Sequence, residues 1–387
     1  MINIINKADC CGCTACASVC THKAITMKPD SLGFLYPEVD INKCTNCGLC
    51  EKVCAFNDNY DKSLNFDKPK AYGARHKDIH EVETSRSGAA FIAISDWVLE
   101  QGGIVYGVGY EEHFKVVHKR ATSKEQRNEF KGSKYVQSYL GDIFIQVKND
   151  LKDGKIVLFS GTPCQTSGLN SFIGKKLRTN LILVDVVCHG VPSPNIWRDY
   201  IAFYEKKYKR KISSVDFRDK KEYGWNTHKE TFILDNGIKI SPKYHPWSTL
   251  FCNVIMYRQS CENCFFCNTI RPSDITIADF WGWEKTNPGF NLDNKGVSLL
   301  LINTIKGEKI FNTIKERLNI FEAQLEDCLQ PNLLSPTRLN CQSSKFENQY
   351  KKYGFKYIIR EYTCIGLKKR INQYLQDLKY KLKSYIK

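Results

Sequence analysis

Eight cysteines near the N-terminus repeat one spacing twice. The first run is Cys10-x2-Cys13-x2-Cys16-x3-Cys20, and the second is Cys44-x2-Cys47-x2-Cys50-x3-Cys54. A 4Fe-4S cube needs four thiolates, and a C-x2-C-x2-C loop wraps only one side of it, so each fourth ligand comes from the other run. The spacing therefore predicts two 4Fe-4S clusters with exchanged ligands. The first ligand set is Cys10, Cys13, Cys16 and Cys54, and the second set is Cys44, Cys47, Cys50 and Cys20.

These runs favour an electron-transfer domain over the alternatives. A structural zinc site would leave the regular spacing unexplained, and disulfides are less compatible still. The proline that usually follows the fourth cysteine is absent, because Thr21 and Ala55 stand there. Cys11 lies outside the spacing and is predicted to be a spare thiol. We expect an α+β ferredoxin-like domain over residues 1–58, followed by a polar linker over 59–70.

Length and charge set the broader frame. A chain of 387 residues with 42% hydrophobic residues predicts two or three domains. No apolar run reaches the length of a membrane span, the start lacks the pattern of a signal peptide, and the 18 cysteines fit a reducing compartment, so a cytoplasmic protein is expected.

The net charge of +16 predicts an anionic partner. Two or three clusters lower that charge to about +10 to +12, since each oxidised cluster with its thiolates carries about −2. The candidates are an acidic redox protein such as ferredoxin, an anionic small-molecule electron carrier and a membrane surface. A merely solvated basic surface is the plain alternative. Nucleic acid is not expected, because no nucleic-acid-binding signature accompanies the charge.

The middle of the chain predicts an α/β domain over residues 71–300. A helix is expected from Ser87 to Glu100, before a strand over 104–109. Two short apolar runs, 155–159 and 181–187, flank an expected helix over 165–173, which is the pattern of a βαβ unit.

Each strand of that βαβ unit delivers a cysteine to its carboxyl end. Cys164 follows the first strand and Cys188 follows the second. Ligands bind at the carboxyl edge of open α/β sheets, so two cysteines there are able to share one metal. The run Cys261-x2-Cys264-x2-Cys267 supplies two or three further thiols for a third cluster. The alternatives are ordinary buried cysteines at the strand ends and a zinc site at the later run.

Several motifs together resemble one family, the beta subunits of coenzyme F-420 hydrogenases and dehydrogenases, with the related 7-hydroxymethyl chlorophyll reductases. The resemblance runs over residues 1 to about 285. The matching stretches are Ser87-Gly88, residues 102–107, Gly132-Ser-Lys-Tyr135 with Ser138, Gly161-Thr-Pro-Cys-Gln165, residues 188–193, Cys261-x2-Cys264 and residues 273–282.

The resemblance implies a flavoprotein in which FAD lies beside a 4Fe-4S cluster. It assigns Cys164, Cys188, Cys261 and Cys264 as ligands of that third cluster, with Cys267 as an alternative fourth ligand. It also implies FAD contacts, and glycine, serine and lysine suit a pyrophosphate. A usual second glycine after Ser87-Gly88 is replaced by Ala89. The implied FAD residues are Ser87, Gly88, Gly132, Ser133, Lys134 and Ser138.

The resulting hypothesis is an iron-sulfur flavoprotein oxidoreductase. FAD would exchange two electrons with a deazaflavin coenzyme or another small molecule, and the clusters would carry single electrons. Asp185, His189 and Asp279 are candidate proton donors, although such residues more often hold a turn in place. The alternative is a non-enzymatic electron-transfer subunit that docks to a separate catalytic protein. The substrate and the direction of electron flow stay open.

The C-terminal segment, 301–387, carries no motif of the family. Apolar residues recur at helical spacing among lysines near its end, which predicts a basic amphipathic helix. Such a helix packs against the protein's own core or lies on an anionic surface. Cys328, Cys341 and Cys364 are scattered and are expected to be structural.

Overall fold

The computed structural model describes residues 1–57, 60–366 and 371. Its strands, in chain order, are β1 (Ile25–Pro29), β2 (Leu35–Val39), β3 (Asn65–His76), β4 (Ile104–Tyr110), β5 (Val116–Ala121), β6 (Val157–Gly161), β7 (Leu181–Val186), β8 (Ile212–Asp216), β9 (Thr231–Leu234), β10 (Lys239–Ile240), β11 (Ile275–Asp279), β12 (Ser298–Thr304) and β13 (Leu318–Ala323).

Helices alternate with these strands through most of the described chain. They are α1 (Ala15–Val19), α2 (Leu49–Lys52), α3 (Ile79–Thr84), α4 (Ala90–Glu100), α5 (Lys124–Asn128), α6 (Ile143–Lys152), α7 (Pro163–Ile173), α8 (Pro194–Tyr208), α9 (Lys220–Tyr223), α10 (Pro246–Cys252), α11 (Trp283–Thr286), α12 (Ile305–Ile314), α13 (Ser343–Tyr353) and α14 (Phe355–Tyr362).

An eight-stranded mixed sheet organises the α/β part of the chain. Its order is β13-β3-β12-β11-β7-β6-β4-β5. The central strands β11, β7, β6 and β4 are parallel, and the outer pairings are antiparallel. Apolar cores cover both faces, with α4 and α12 on one and α6 and α7 on the other. Because parallel strands point the same way, the loops after β6, β7 and β11 emerge at one edge.

The predicted βαβ unit is present as β6-α7-β7, and β6 pairs directly with β7. Helix α7 begins at Pro163, whose missing N–H is tolerated in the first turn. Gln165 Oε1 accepts from the backbone N of Thr162 at 3.0 Å, which closes a capping arrangement. The helix therefore starts immediately after the strand and places Cys164 in its first turn.

Two more layers complete the molecule. A three-stranded sheet of order β10-β9-β8 packs with α8, α10, α13 and α14 in an aromatic-rich core. The N-terminal part contains the hairpin β1-β2 and the short helices α1 and α2. Its side chains enter two of the α/β cores, Leu32 and Phe34 in one and Ala15 and Val53 in another. The N-terminal domain is thus seated on the α/β part.

Three boundaries differ from those expected. The strand β3 begins at Asn65, so residues 65–70 belong to the sheet and not to a linker. The helix expected from Ser87 begins at Ala90, because Ala89 has a left-handed φ of 62° that interrupts it. The main sheet continues past residue 300 to β13, so part of the expected C-terminal extension is an edge strand.

A C-terminal amphipathic helix is expected over Leu367, Ile371, Leu375, Leu378 and Leu382. The structure describes Ile371 of this set, and the other four residues lie outside the described part of the chain. Within the described part of the chain, no helix combines the length and hydropathy needed to cross a membrane.

Candidate redox site

The two N-terminal cysteine runs line two separate cavities, and each cavity takes its fourth cysteine from the other run. One cavity is lined by Cys20, Cys44, Cys47 and Cys50, and the other is lined by Cys10, Cys11, Cys13, Cys16 and Cys54. Both cavities are partly open to solvent. The structure therefore brings together the exchanged sets that the spacing predicts, and it adds Cys11 to the first.

Backbone geometry shapes both cavities. Thr14 and Gly48, which precede α1 and α2, have left-handed φ values of 66° and 74°, so each loop turns sharply into its helix. The N–H of Ile2 donates to Cys50 Sγ at 3.3 Å, and that of Ala24 donates to Cys20 Sγ at 3.4 Å. Such N–H···S contacts favour a negative sulfur.

The donor set fits iron-sulfur clusters. Burial raises the pKa of the Cys10, Cys16 and Cys54 thiols, so these side chains would stay protonated without a positive ion. A coordinating metal deprotonates a thiol outright. Among residues 1–57, 60–366 and 371, no group of three or more His, Cys, Asp or Glu side chains is close enough to bind a single metal ion. A cube spaces its four thiolates around a larger core than one ion does.

A second cysteine group gathers at the carboxyl edge of the sheet from three distant segments. Cys164 lies in the first turn of α7, Cys188 follows β7, and Cys261 ends the short 3-10 helix Gln259–Cys261. The loop after Cys188 meets Cys261, because a Cβ at Gly190 would lie 3.3 Å from Cys261 Cβ. Cys164 and Cys264 pack against one apolar cluster. The structure thus brings Cys164, Cys188, Cys261 and Cys264 to one region of the molecule.

Polar hydrogens face the sulfurs of this group. The N–H of Gly190 donates to Cys188 Sγ and that of Val191 to Cys261 Sγ, both at 3.4 Å. Cys267 lies beside Cys264 and hydrogen-bonds to it, which lowers the Cys267 pKa. Cys267 therefore stays an alternative ligand in this group.

Cys11 joins the two cysteine groups. Its side chain is buried in an apolar cluster against which Cys13, Cys54, Cys164 and Cys264 pack. Hydrogen bonds to Cys13 and Cys164 raise its pKa well above the ordinary thiol value. That Cys11 is a spare thiol stays a prediction, but its position between the two groups was not predicted, because spacing within one loop carries no information about which side chain meets a distant helix.

Four of the residues implied as FAD contacts have partners inside the protein. Ser87 Oγ donates to Val297 O at 2.6 Å. A Cβ at Gly88 would lie 2.1 Å from Ala74 O, so Gly88 serves the packing of its turn against β3. Ser138 Oγ contacts His118 Nδ1 at 3.0 Å.

Lys134 is turned toward its own loop. Its ammonium donates to the carbonyls of Glu129 and Lys131 at 2.7 and 2.9 Å, and burial lowers its pKa to about 7. It is therefore poorly placed to neutralise a pyrophosphate. Gly132 and Ser133 lie on the same loop, and the surroundings of the Gly132 Cα are open.

A buried basic group that sequence reasoning missed lies behind Ser87. Arg218 Nη1 donates to Asp279 Oδ2 at 2.6 Å, and Arg86 donates to the carbonyls of Arg218 and Trp225. Lys220 Nζ approaches Ser87 O at 3.4 Å. Arg86 Nε is buried without a hydrogen-bond partner. Asp279 Oδ2 lies 3.9 Å from Arg86 Nε, and burial lowers the Lys220 pKa to about 7, so part of this basic charge is already balanced within the protein. Arg86 Nε keeps the capacity to donate to one further acceptor.

The three candidate proton donors have different surroundings. Asp185 is fully buried 3.3 Å from Arg271, and burial raises its pKa. His189 Nδ1 lies 3.0 Å from the hydroxyl of Tyr257, and burial lowers the His189 pKa. Asp279 accepts from Arg218. Asp185 and Asp279 therefore hold neighbouring segments in place.

Fold and cysteine sites together define an iron-sulfur electron-transfer protein. Residues 154–327 match the family described as the C terminus of the beta subunit of coenzyme F420 hydrogenase/dehydrogenase, and residues 9–57 match a 4Fe-4S dicluster domain. Residues 154–327 are thus similar to the C terminus of these beta subunits, with the dicluster domain at the N-terminal end of the chain, which confirms the resemblance.

Two known proteins are similar over most of the chain. The F subunit of the F(420)H(2) dehydrogenase of Methanosarcina mazei is 20% identical over 370 residues, which are 93% of this chain and 98% of that protein. A chain of the F420-reducing NiFe hydrogenase complex from Methanosarcina barkeri is 12% identical, with a TM-score of 0.46, over 76% of this chain and 91% of that one.

Proposed function

We propose that this chain is an iron-sulfur flavoprotein oxidoreductase that passes electrons between a two-electron carrier and one-electron clusters. The carrier would be a deazaflavin coenzyme or another small molecule, and a redox protein such as ferredoxin would be the partner. The observation that carries the proposal is the contact of Cys11 with both Cys13 and Cys164. This contact joins the cysteine group of the α/β domain to the first N-terminal set.

The cysteines would hold three 4Fe-4S clusters, which supply one-electron exchange when bound. The exchanged positions of Cys20 and Cys54 tie the first and second N-terminal sets together. The order of the three sets along the molecule is therefore the α/β group, the first set and the second set. Cys47 of the second set is exposed, whereas Cys16 of the first set is buried, which makes the second set the natural exit toward a partner protein.

FAD, when bound, supplies the exchange of two electrons at once. Arg86 and Arg218 would hold its anionic part, and Lys220 would stabilise the turn at Ser87 through the backbone carbonyl. Trp225 and Trp281 stack at 4.6 Å between ring centroids beside these arginines, and the half-exposed Trp281 gives this pocket an aromatic wall. His189 follows Cys188 directly and is able to hold a proton near the cysteine group.

One observation favours the alternative of an electron-transfer subunit without its own chemistry. Ser87, Lys134 and Ser138 have hydrogen-bond partners within the protein and Gly88 packs closely against β3, so most of the residues that the family resemblance implies are already engaged in internal contacts. In that case the α/β domain would dock to a separate catalytic protein.

Cofactor quantitation separates the two functions. The full chain is purified without oxygen, and iron, sulfide and flavin are measured on one sample together with its ultraviolet-visible spectrum before and after reduction. About twelve irons and one FAD per chain support the proposal. About eight irons without flavin contradict it and leave the docking subunit. Arg86→Gln, compared with the exposed control Arg198→Gln, is expected to lower the FAD content by about tenfold.

A further inference from the structure

Arg258 is a fully buried arginine that contacts both cysteine groups. Its Nε donates to Cys10 O at 2.7 Å, and Nη2 donates to Leu35 O at 2.9 Å and approaches Cys10 Sγ at 3.6 Å. The side chain is 1% exposed. Its guanidinium carbon lies 4.2 Å from the ring centroid of Tyr36, which adds a cation–π contact.

The backbone of the same residue belongs to the other cysteine group. The N–H of Arg258 donates to Val191 O, and the N–H of Cys261 donates to Arg258 O, both at 3.0 Å. Arg258 therefore extends from the loop that carries Cys261 to the loop that carries Cys10. A Cβ at Gly12 would lie 2.8 Å from Arg258 Nη1, so the first N-terminal loop is packed directly on the guanidinium.

The partners of this guanidinium distinguish it from the other large arginines of the core. Arg127 lies 2.7 Å from Asp96, and Arg271 lies 3.3 Å from Asp185. The described hydrogen-bond partners of Arg258 are instead two carbonyls, the amide oxygen of Gln137 and the sulfur of Cys10. A buried cation needs a negative partner, and the thiolates of a cluster at Cys10 would supply it.

We propose that Arg258 is a positioning residue that docks the first N-terminal cysteine loop onto the α/β cysteine group and raises the reduction potential at that loop. The inference rests on the proposed function, since it requires a cluster at the first set. One-electron reduction makes a cluster more negative by one charge. A nearby buried cation stabilises the reduced form, and net charge and hydrogen bonds to sulfur set cluster potentials.

The test compares Arg258→Gln and Arg258→Lys with Arg127→Gln, a control for the loss of a buried arginine that contacts Asp96 and Ser95 of α4 and no cysteine sulfur among its described partners. Iron is first quantified in each anaerobic full-length protein, and the clusters are then titrated potentiometrically with electron paramagnetic resonance detection. In R258Q we expect the midpoint potential of one cluster to fall by about 59 mV or more. This shift corresponds to a tenfold change in the equilibrium between the oxidised and reduced cluster. R258K should shift less, and R127Q should not shift.

A second variant protects the test against loss of the cluster. Gln137→Glu keeps Arg258 and offsets its charge, because Gln137 Oε1 already accepts from Arg258 Nη1 at 3.0 Å. It also removes the hydrogen bond from Gln137 Nε2 to Cys11 O, so iron is quantified in this variant as well. We expect the same downward shift. Unchanged potentials in R258Q with full iron content, or in Q137E where R258Q loses iron, overturn the inference. A wild-type protein without iron overturns the proposed function instead, so the two failures are distinguishable.

Discussion

The N-terminal cysteine runs and the cysteine group of the α/β domain both offer thiol ligands, but the chain brings these ligands together in different ways. The N-terminal sets come from two tight loops, and a single exchange between them completes both cavities. The α/β group comes from the ends of β6 and β7 and from a loop much further along the chain. In the first case local spacing specifies the site, whereas in the second the topology of a parallel sheet does.

The largest effect is expected on iron content, when one cysteine ligand is removed from each predicted set in turn. Cys54→Ala should lower the iron content by about four atoms per chain, and so should Cys164→Ala, because each removes one thiolate of a different cube. Iron and sulfide quantitation on purified protein measures both losses. The exposed Cys341→Ala is the matched control and should keep all the iron.

Full iron content in Cys164→Ala would show that the α/β cysteines are ordinary buried thiols. Loss of the second site instead of the first in Cys54→Ala would contradict the exchange. The remaining cluster can be assigned by adding Cys47→Ala, since Cys47 lines only the cavity of the second set.

Removal of iron should destabilise the N-terminal domain more than the α/β domain. The N-terminal domain has few strands and depends on metal bonds, while the α/β domain has cores on both faces of its sheet. Chelation is expected to speed proteolysis within residues 1–57 by about tenfold or more, which corresponds to about 1.4 kcal/mol of local stability. Cleavage sites are mapped by mass spectrometry. Equal acceleration in both regions would show that they unfold as one unit.

The sequence predicted the features that depend on local spacing better than those that depend on contacts between distant segments. The spacing predicted the exchanged N-terminal sets, and the apolar runs predicted the βαβ unit that places Cys164 and Cys188 at one edge. The role of Cys11 and the contacts of Arg258 could not be predicted, because both depend on how one domain packs on the other. Neither residue belongs to a local pattern. The helix predicted from Ser87 to Glu100 begins only at Ala90, because the left-handed Ala89 has no special residue type to mark the turn before it.

A further effect is expected from a buried histidine of the α/β domain, His118, whose ring contacts Ser160 O and Ser138 Oγ. Burial lowers the pKa of His118 from 6.5 to about 4, so the ring stays neutral in the folded chain while the unfolded chain binds a proton between those values. Stability should therefore rise with pH over this window, by up to about 3 kcal/mol. Urea unfolding of wild type and His118→Gln at pH 5 and pH 7 measures the difference.

His118→Gln should reduce that pH dependence, since glutamine does not titrate in this range. The exposed His113 provides the control, because His113→Gln should leave it unchanged. An identical pH dependence in wild type and His118→Gln would contradict a neutral buried ring.

The smallest effect is expected at the contact between helix α7 of the α/β domain and the first N-terminal cysteine loop. In α7, a Cβ at Gly168 would lie 2.7 Å from Cys13 Sγ and 2.9 Å from its Cβ. Gly168→Ala should therefore destabilise the iron-loaded protein by about 1–2 kcal/mol, as overpacking does. Thermal unfolding measures it, with Ser171→Ala on the same helix as the control.

The dependence on iron makes this last variant decisive. A cluster would fix Cys13 in one rotamer, so the clash cannot be relieved while iron is bound. In the chelated protein Cys13 Sγ is able to rotate away, which relieves the contact at 2.7 Å but leaves the contact with Cys13 Cβ at 2.9 Å. The destabilisation by Gly168→Ala should therefore become smaller when iron is removed. A clash of equal size in both states would show that the packing of α7 on the first cysteine loop does not depend on the metal.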